Sequence, residues 1–328
     1  MPVTKLLEKW SGKVEEVTIG ATTSEGGTRK KTIRVGGETG LPFLFDEGAM
    51  PNRPVIAMEV LDAVPKEWHP PLMETFKDVI NKPVDWAKKC QDDYGADLIC
   101  LRLLGANPEN NNTPVQEVVK TIIAIKQVVN IPLVIWSCGD VEKDNQMFPA
   151  ISQALKGERA LLGTASQNNY KILAATCIAD GHNIIAESPL DINICKQINI
   201  LLSDMEMPSN RIVTFPTTGA IGYGFEYAYS IMERTRLAAL GGDKTMAYPM
   251  IAVVSIEAWK TKESKAPEAD MPGWGAVKER GIIWEAATAC GFLLAGADIL
   301  VMYHPKSVEL TRNYINDAFG TSAVGWTK

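Results

Sequence analysis

The 328-residue chain contains few of the residues that usually build a disulfide or metal site. Its six cysteines are scattered, and no two of them form a CxxC pair. A disulfide framework needs clustered cysteines in a small secreted chain, and an iron–sulfur or zinc site usually needs closely spaced ones. The three histidines, His69, His182 and His304, form no HxH or HExxH motif. We therefore expect no disulfide and no metal site within this chain.

Long basic runs and long apolar runs are also missing. The net charge is −6 and the longest basic run is residues 29–31, so we expect no nucleic-acid partner. The most apolar segment, residues 289–303, is interrupted by Gly291, Gly296 and Asp298 and is too short to span a bilayer. The first eleven residues are charged and predict no signal peptide. These features favour a cytoplasmic protein with reduced thiols.

Two short segments near the start of the chain alternate apolar and polar residues. They are residues 14–20 and 29–35, and the sequence SEGG lies between them at 24–27. Alternation of this kind on both sides of a glycine-containing turn predicts a β-hairpin. We assign residues 1–50 to an N-terminal extension that carries this hairpin, and we expect the hairpin to cover one end of the domain that follows.

From residue 54 onward, short apolar runs alternate with longer amphipathic stretches. Strands that are apolar throughout are buried on both faces, as in a parallel sheet, and eight βα units in series favour closure. A doubly wound sheet is the alternative, but no GxGxxG loop follows the first run. We therefore predict an α/β fold, a TIM (β/α)8 barrel, over residues 51–328. The predicted strands are 55–60, 97–101, 132–136, 160–163, 183–186, 211–215, 250–255 and 298–302. The predicted helices are 83–93, 114–129, 144–156, 168–179, 190–205, 225–240, 276–293 and 305–318. Ser188, followed by Pro189 and Asp191, is the predicted N-cap of the helix at 190–205.

Residues that follow the strands of such a barrel are the candidates for function, because active sites gather at the carboxyl ends of the strands. Glu59, Glu187 and Glu257 follow three of the predicted strands and could form an acidic rim for acid–base chemistry. The alternative is that each carboxylate pairs with Arg102 or a lysine, or caps a backbone donor. The sequence favours this alternative but does not exclude the rim.

Cys138 follows the third predicted strand and is the one cysteine placed as a nucleophile would be. A reactive thiolate needs a histidine or a helix N-terminus to lower its pKa. Only His304 lies at a strand end, so we interpret Cys138 as a small, partly buried thiol without a catalytic role. We predict no catalytic residue in the chain.

The segment between the sixth strand and the next helix contains three glycines in six residues. Glycine lets the backbone approach a ligand closely, and free N–H groups at a helix start can bind an anion. A plain tight turn is the alternative. Together with the segment after the third strand, it supplies the predicted cofactor-binding residues Cys138, Gly139, Asp140, Thr217, Thr218, Gly219, Gly222, Tyr223 and Gly224.

The connection from residue 259 to residue 272 is too long for a simple turn and lies on the same face. Loops of this length are usually lids, binding loops or disordered segments, and we favour a lid or a partner contact. Trp136, Tyr223, Trp259 and Trp274 lie near this face as well. If exposed, they would suit a flat apolar macrocycle or a protein domain; the alternative is packing of the rim.

Several longer segments resemble a known family. They are NRPV at 52–55, CGDVEKD at 138–144, NIIA at 183–186 with SPLDINICKQINI at 188–200, GYGFEY at 222–227 with SIMERTRLAAL at 230–240, and PGWG at 272–275. From the hairpin to the last helix, the chain resembles the small, delta-type subunit of the corrinoid iron–sulfur protein of the reductive acetyl-CoA pathway.

This resemblance implies a partner and cofactors that the residues alone do not reveal. It implies a heterodimer with a larger subunit that holds a 4Fe–4S cluster and the cobalamin, while the barrel of the small subunit covers the corrinoid. Such a pair takes a methyl group from methyltetrahydrofolate through a methyltransferase and passes it to acetyl-CoA synthase. A reductive activator is a further expected partner.

One motif and three loops bear on this implication. A domain that ligates cobalamin through histidine shows DxHxxG, but the segment at Asp180-Gly181-His182 has Ile185 where the glycine belongs. We therefore interpret His182 as a surface or capping residue and assign the cobalamin mainly to the partner. We also predict that loops 137–144, 216–224 and 256–275 form a movable cap over the corrinoid.

Two other functions remain open. The first is a catalytic pterin-binding methyltransferase, in which Glu59, Asp140 and Glu187 would hydrogen-bond the pterin. The second is an aldolase-type barrel, which would need a lysine in a strand for Schiff-base chemistry. No predicted strand contains a lysine, so the second is disfavoured.

Overall fold

A computed structural model describes residues 6–320. Eight parallel strands form a closed barrel in the order β10-β3-β4-β5-β6-β7-β8-β9, and β10 pairs with both β9 and β3. At least one helix follows each barrel strand. The strands are β1 Glu16–Ile19, β2 Ile33–Gly36, β3 Val55–Leu61, β4 Leu98–Arg102, β5 Leu133–Trp136, β6 Leu161–Ala165, β7 Asn183–Glu187, β8 Ile212–Phe215, β9 Met250–Val253 and β10 Ala297–Met302. The helices are α1 Pro70–Phe76, α2 Pro83–Asp92, α3 Val115–Val128, α4 Val141–Ala154, α5 Tyr170–Asp180, α6 Ile192–Asp204, α7 Phe225–Leu240, α8 Ser255–Trp259, α9 Lys262–Lys265, α10 Val277–Ala295 and α11 Pro305–Gly320.

The predicted TIM barrel and its eight strands are confirmed, with ends shifted by at most two residues. The predicted domains 1–50 and 51–328, and the prediction for the first eleven residues, extend into residues 1–5 and 321–328, which lie outside the described part. No helix within residues 6–320 combines the length and the apolar character that crossing a bilayer requires.

The N-terminal hairpin closes the amino end of the barrel. Strands β1 and β2 pair antiparallel, and Val17, Ile19 and Val35 pack against the apolar side chains inside the barrel. The side-chain nitrogen of Asn183, at the start of β7, donates to the Thr18 carbonyl over 2.9 Å. Because the hairpin occupies this end, as expected, the opposite end, where the strands terminate, is left for a ligand or partner.

Local structure differs from the prediction at two connections. Helix α6 is capped by Asp191, whose Oδ1 accepts from the backbone N of Asn193 and Ile194 at 2.7 and 3.1 Å, so the predicted cap at Ser188 is wrong. The segment 259–272 is also not a plain loop, because it contains α9 and leads into a 3-10 turn at Pro272–Trp274. Elements of three to five residues are too short to show a hydrophobic period.

Candidate functional site at the carboxyl end of the barrel

Two cavities, each of about 370 Å³, lie where the barrel strands end. Arg102, Leu104 and Ile256 line both of them and form the ridge between them. The first cavity is walled mainly by large rings and lysines: Trp68, His69, Trp259, Lys260, Lys265 and Tyr303. The second is more polar and is lined by residues such as Ser137, Cys138, Thr164, Asn169, Glu187 and Thr217.

The ridge is fixed from below by a buried ion pair. Both oxygens of the fully buried Glu59 accept hydrogen bonds, one from Arg102 Nε and the other from Ser255 Oγ. Burial alone would lower the pKa of Arg102, but the charge of Glu59 outweighs it, so that pKa is raised and the guanidinium stays charged. The Arg102 guanidinium carbon also lies 5.0 Å from the centroid of the Trp136 ring.

The three glutamates of the predicted acidic rim do not converge on one cleft. Glu59 pairs with Arg102 below the ridge, as the alternative interpretation anticipated. Glu187 and Glu257 line the second cavity, but Glu187 accepts from Thr164 Oγ1 and Glu257 lies 2.5 Å from Lys260 Nζ. Each carboxylate therefore already has a partner, so the three do not form the acidic rim.

Cys138 lies in the second cavity as a protonated thiol. Burial, and then the charge of Asp144, raises its pKa to about 12, so the thiolate is essentially absent at neutral pH. Its backbone N donates to Asp144 Oδ1 at 2.9 Å. Gly139 has a φ of 89°, which favours glycine, and Asp140 caps α4 by accepting from Lys143 N at 2.8 Å. This turn is built for structure, which agrees with an unreactive cysteine.

The glycine-rich segment between β8 and α7 is tied to its neighbours. Thr217 Oγ1 donates to the Ser188 carbonyl at 2.6 Å, and Thr218 Oγ1 donates to the Val253 carbonyl at 2.7 Å. A Cβ on Gly219 would lie 2.5 Å from the Tyr223 carbonyl oxygen, so only glycine fits there. The Tyr223 hydroxyl accepts from Lys262 N at 2.9 Å, which links this segment to α9.

The nine predicted cofactor-binding residues divide into two groups. Those that line the second cavity are Cys138, Gly139, Thr217 and Thr218. Those that line neither mouth cavity are Asp140, Gly219, Gly222, Tyr223 and Gly224. The structure thus brings the first group together, while the second shapes the loops around the mouth.

The four aromatic residues predicted near this face form a buried pair and an exposed pair. Trp136 and Trp259 are buried and serve packing, Trp136 against Phe215 at 5.0 Å between ring centroids. Tyr223 and Trp274 are 43% and 41% exposed. Ile256, on the ridge, is 43% exposed as well. Ile256 is thus an exposed apolar side chain between the two cavities, whereas Trp274 lines a separate cavity with Ile283 and Trp284.

Comparison with known proteins identifies the family. The profile described as "CO dehydrogenase/acetyl-CoA synthase delta subunit" matches residues 16–318. The chain belongs to this delta-subunit family. The acetyl-CoA decarbonylase/synthase complex subunit delta 1 of Methanosarcina thermophila is 36% identical over 323 residues, which are 96% of this chain and 73% of that protein. The delta subunit of Archaeoglobus fulgidus is 36% identical over 324 residues, 97% of this chain and 71% of that protein.

Solved structures similar to this delta-family chain include dihydropteroate synthases. The Coxiella burnetii enzyme has a TM-score of 0.56 at 15% identity and covers 87% of this chain and 99% of its own. The Xanthomonas albilineans enzyme has a TM-score of 0.56 at 14% identity and covers 84% of this chain and 96% of its own. At such low identity the likeness establishes the barrel fold alone.

The prediction for His182 was a surface or a capping residue, and the surface alternative is wrong in this delta-family chain. The imidazole is fully buried, with Nδ1 accepting from Ala160 N at 3.2 Å and Nε2 lying 2.9 Å from the Ser152 carbonyl oxygen. Burial lowers the pKa of this histidine, so it stays neutral. The ring lies between the end of α4 and the residue before β6, and its contacts with these two backbone groups agree with the capping alternative.

Sequence reasoning missed most of the first cavity. Trp68 and His69 lie in the connection between β3 and α1, for which no element was predicted. The Trp259 ring lies between two imidazoles, with centroids 5.2 Å from His69 and 5.8 Å from His304. The pair Trp68-His69 before Pro70-Pro71 was the available signal, because a tryptophan in a loop at the functional face often lines a site.

Proposed function

We propose that this chain is a subunit of an acetyl-CoA decarbonylase/synthase-type complex in which its barrel mouth covers a corrinoid held by a larger subunit. The observation that carries the proposal is the pair of open cavities at the carboxyl end of the barrel, with the exposed side chain of Ile256 on the ridge between them. Exposed aromatic and aliphatic side chains at a concave site favour a flat apolar ligand or a protein contact. Family membership supports the same assignment, since the relatives carry names of complex subunits.

The residues of the mouth fit a corrinoid on physical grounds. The macrocycle is broad and largely apolar and carries amide side chains at its edge, so it needs apolar surface, space and a few polar groups. A Cβ on Gly222 would meet nothing within 4 Å, and one on Gly139 would meet only Asn107 Nδ2 at 3.7 Å, so the backbone at both glycines borders open space. When bound, the corrinoid supplies a cobalt centre that accepts and releases a methyl group.

The role of this chain's own residues is then to exclude water and to position the macrocycle. The carboxylate of Glu59 beneath the ridge is already paired with Arg102 and Ser255, and the thiol of Cys138 is protonated. A water-poor, unreactive surface protects a reactive cobalt centre from side reactions. These features support a cover over a catalyst, and we assign the methyl-carrier role to the two subunits together.

The cap must open, because two enzymes need access to the corrinoid. We propose that loops 137–144, 216–224 and 256–275 form this cap and that it moves between the two encounters. The hydrogen bond from Lys262 N to the Tyr223 hydroxyl joins two of these loops, so we expect them to move together. The proposed partners are a methyltetrahydrofolate methyltransferase, acetyl-CoA synthase and a reductive activator, in the cytoplasm, with the 4Fe–4S cluster in the larger subunit.

Co-expression of the chain with the larger subunit in the presence of cobalamin tests this proposal. We expect a coloured complex that contains cobalt, iron and both chains. Ile256→Glu places a charge on the apolar ridge and should weaken the complex. Leu310→Glu is the matched control, because Leu310 is similarly exposed, at 40%, but lies on α11 outside the mouth. A colourless chain that turns over a substrate alone, or equal effects of the two variants, would contradict the proposal.

A catalytic pterin-binding methyltransferase remains the second candidate. It is favoured by the polar second cavity, and the Coxiella burnetii dihydropteroate synthase, which shares the barrel fold, is in complex with pteroic acid. Of the three carboxylates predicted for this role, only Glu187 lines that cavity. Isothermal titration of the isolated chain with methyltetrahydrofolate separates the candidates, since an enzyme should bind it tightly and a cover should not.

A further inference from the structure

Arg102 is a charged residue between the two cavities, and one of its side-chain nitrogens lacks a hydrogen-bond partner within residues 6–320. It lines both cavities, and 17% of its side chain is exposed there. Its Nε donates to Glu59, but Nη2 is buried and has no hydrogen-bond partner among residues 6–320. A buried donor without an acceptor is unfavourable, so an oxygen arriving from outside the chain would stabilise it.

The guanidinium is also held in place before any ligand arrives. Glu59 fixes one edge, and the Trp136 ring lies 5.0 Å from its central carbon. A planar group held in this way loses little conformational freedom when it binds an oxygen. Arg102 is therefore a preorganised donor in the lining of both cavities.

The surroundings indicate the chemistry of that oxygen. Glu59 already balances the charge of Arg102, and Lys260 lies 2.5 Å from Glu257, so the ridge does not require a second anion. Besides Lys260 and Lys265, the walls of the first cavity include the rings of Trp68, Trp259 and Tyr303, which suit methylene groups. A neutral carbonyl at the end of a short aliphatic arm meets both conditions.

We propose that Arg102 binds the carbonyl oxygen of an amide side chain at the edge of the corrinoid, whose aliphatic arm enters the first cavity. The inference rests on the proposed function, because it requires the partner's corrinoid to lie over the mouth. The cavity of about 370 Å³ has room for such an arm. Arg102 is then a positioning residue that sets where the macrocycle lies.

The test uses the complex and two variants. Glu59→Gln with Arg102→Met removes the buried ion pair as a unit, so that no unpaired buried charge is left behind. Glu59→Gln alone is the matched control, since it keeps the guanidinium. For each protein, a thermal unfolding curve checks folding, and the dissociation constant is measured for the larger subunit with and without bound cobalamin.

We expect the wild-type chain and Glu59→Gln to prefer the cobalamin-loaded partner, and the double variant to lose about tenfold or more of that preference. If the wild-type chain shows no preference, the proposed function itself is wrong. If the preference is present and the double variant keeps it, only the role of Arg102 is wrong.

If the double variant fails to fold, a structure of the wild-type complex tests whether Arg102 contacts the corrinoid. A terminal nitrogen of Arg102 within about 3.5 Å of a corrinoid amide oxygen supports the inference, and any longer distance overturns it.

Discussion

Replacing Arg236 with methionine should destabilise the protein strongly. Arg236, on α7, is almost completely buried and ties together three parts of the chain. Its Nη1 donates to Glu38 Oε2 at 2.7 Å, and its Nη2 donates to Asp298 Oδ2 at 2.9 Å and to the Gly296 carbonyl at 2.6 Å. The hairpin extension, α7 and the start of β10 are thus joined by one guanidinium.

The expected loss follows from what the substitution leaves behind. Arg236→Met removes the one cation of the group and leaves two buried carboxylates, Glu38 and Asp298. Breaking a buried ion pair in this way costs about 3–5 kcal/mol of unfolding free energy. Lys306→Met is the control, because it breaks an exposed pair with Glu309 that is worth about 1 kcal/mol or less.

The same variant should show a distinct pH dependence. Burial raises the pKa of Asp298, and in the wild-type protein the charge of Arg236 opposes that rise. Without Arg236, the folded state holds protons that the unfolded state has released, so stability must fall as pH rises. Urea denaturation at pH 5 and pH 8 measures this. A loss below about 1 kcal/mol, or a loss no greater at pH 8 than at pH 5, would refute the reasoning.

Two further predictions concern the mouth. His304 Nδ1 accepts from Lys306 N, so the neutral ring is held, and burial lowers its pKa to about 4. The unfolded chain binds a proton near pH 6.5, so the wild-type protein should lose up to about 3 kcal/mol from this group between pH 6.5 and pH 4. His304→Gln should lack that loss in urea titrations, and an unchanged profile would contradict the assignment. Gly281→Ala should cost about 1–3 kcal/mol, because the added Cβ would lie 2.3 Å from the Trp259 ring. Gly273→Ala, with nothing within 4 Å, should be near neutral by the same thermal-melt comparison.

The barrel was predictable because its strands are apolar on both faces. Short runs such as 183–186 and 211–215 are bounded by polar or turn residues, so their positions followed from the sequence to within two residues. The helices α1, α8 and α9 were not predicted, because four to seven residues hardly cover two helical turns. In α1, the pair Pro70-Pro71 is also typical of a loop. The predicted cap at Ser188 was wrong because serine and aspartate are both good N-caps. The conformation of residues 189–191, which the sequence does not reveal, determines that the helix begins after Asp191.

The site was predictable only in part. The pairing of Glu59 with Arg102 was one of two open alternatives, because the ends of adjacent parallel strands must meet. The walls of the first cavity come from Trp68, Trp259 and Tyr303, which are far apart in sequence and are brought together by the closure of the barrel. Trp136 packs against Phe215, which is also distant in sequence, so the sequence alone did not show whether its ring faces outward.

Hydrogen–deuterium exchange of the chain, alone and in complex with its cobalamin-loaded partner, tests the central claim most directly. We expect slower exchange on binding in residues 137–144, 216–224 and 256–275, with β1 and β2 at the opposite end unchanged. Protection confined to the hairpin end, with the three mouth loops exchanging as fast as before, would contradict it.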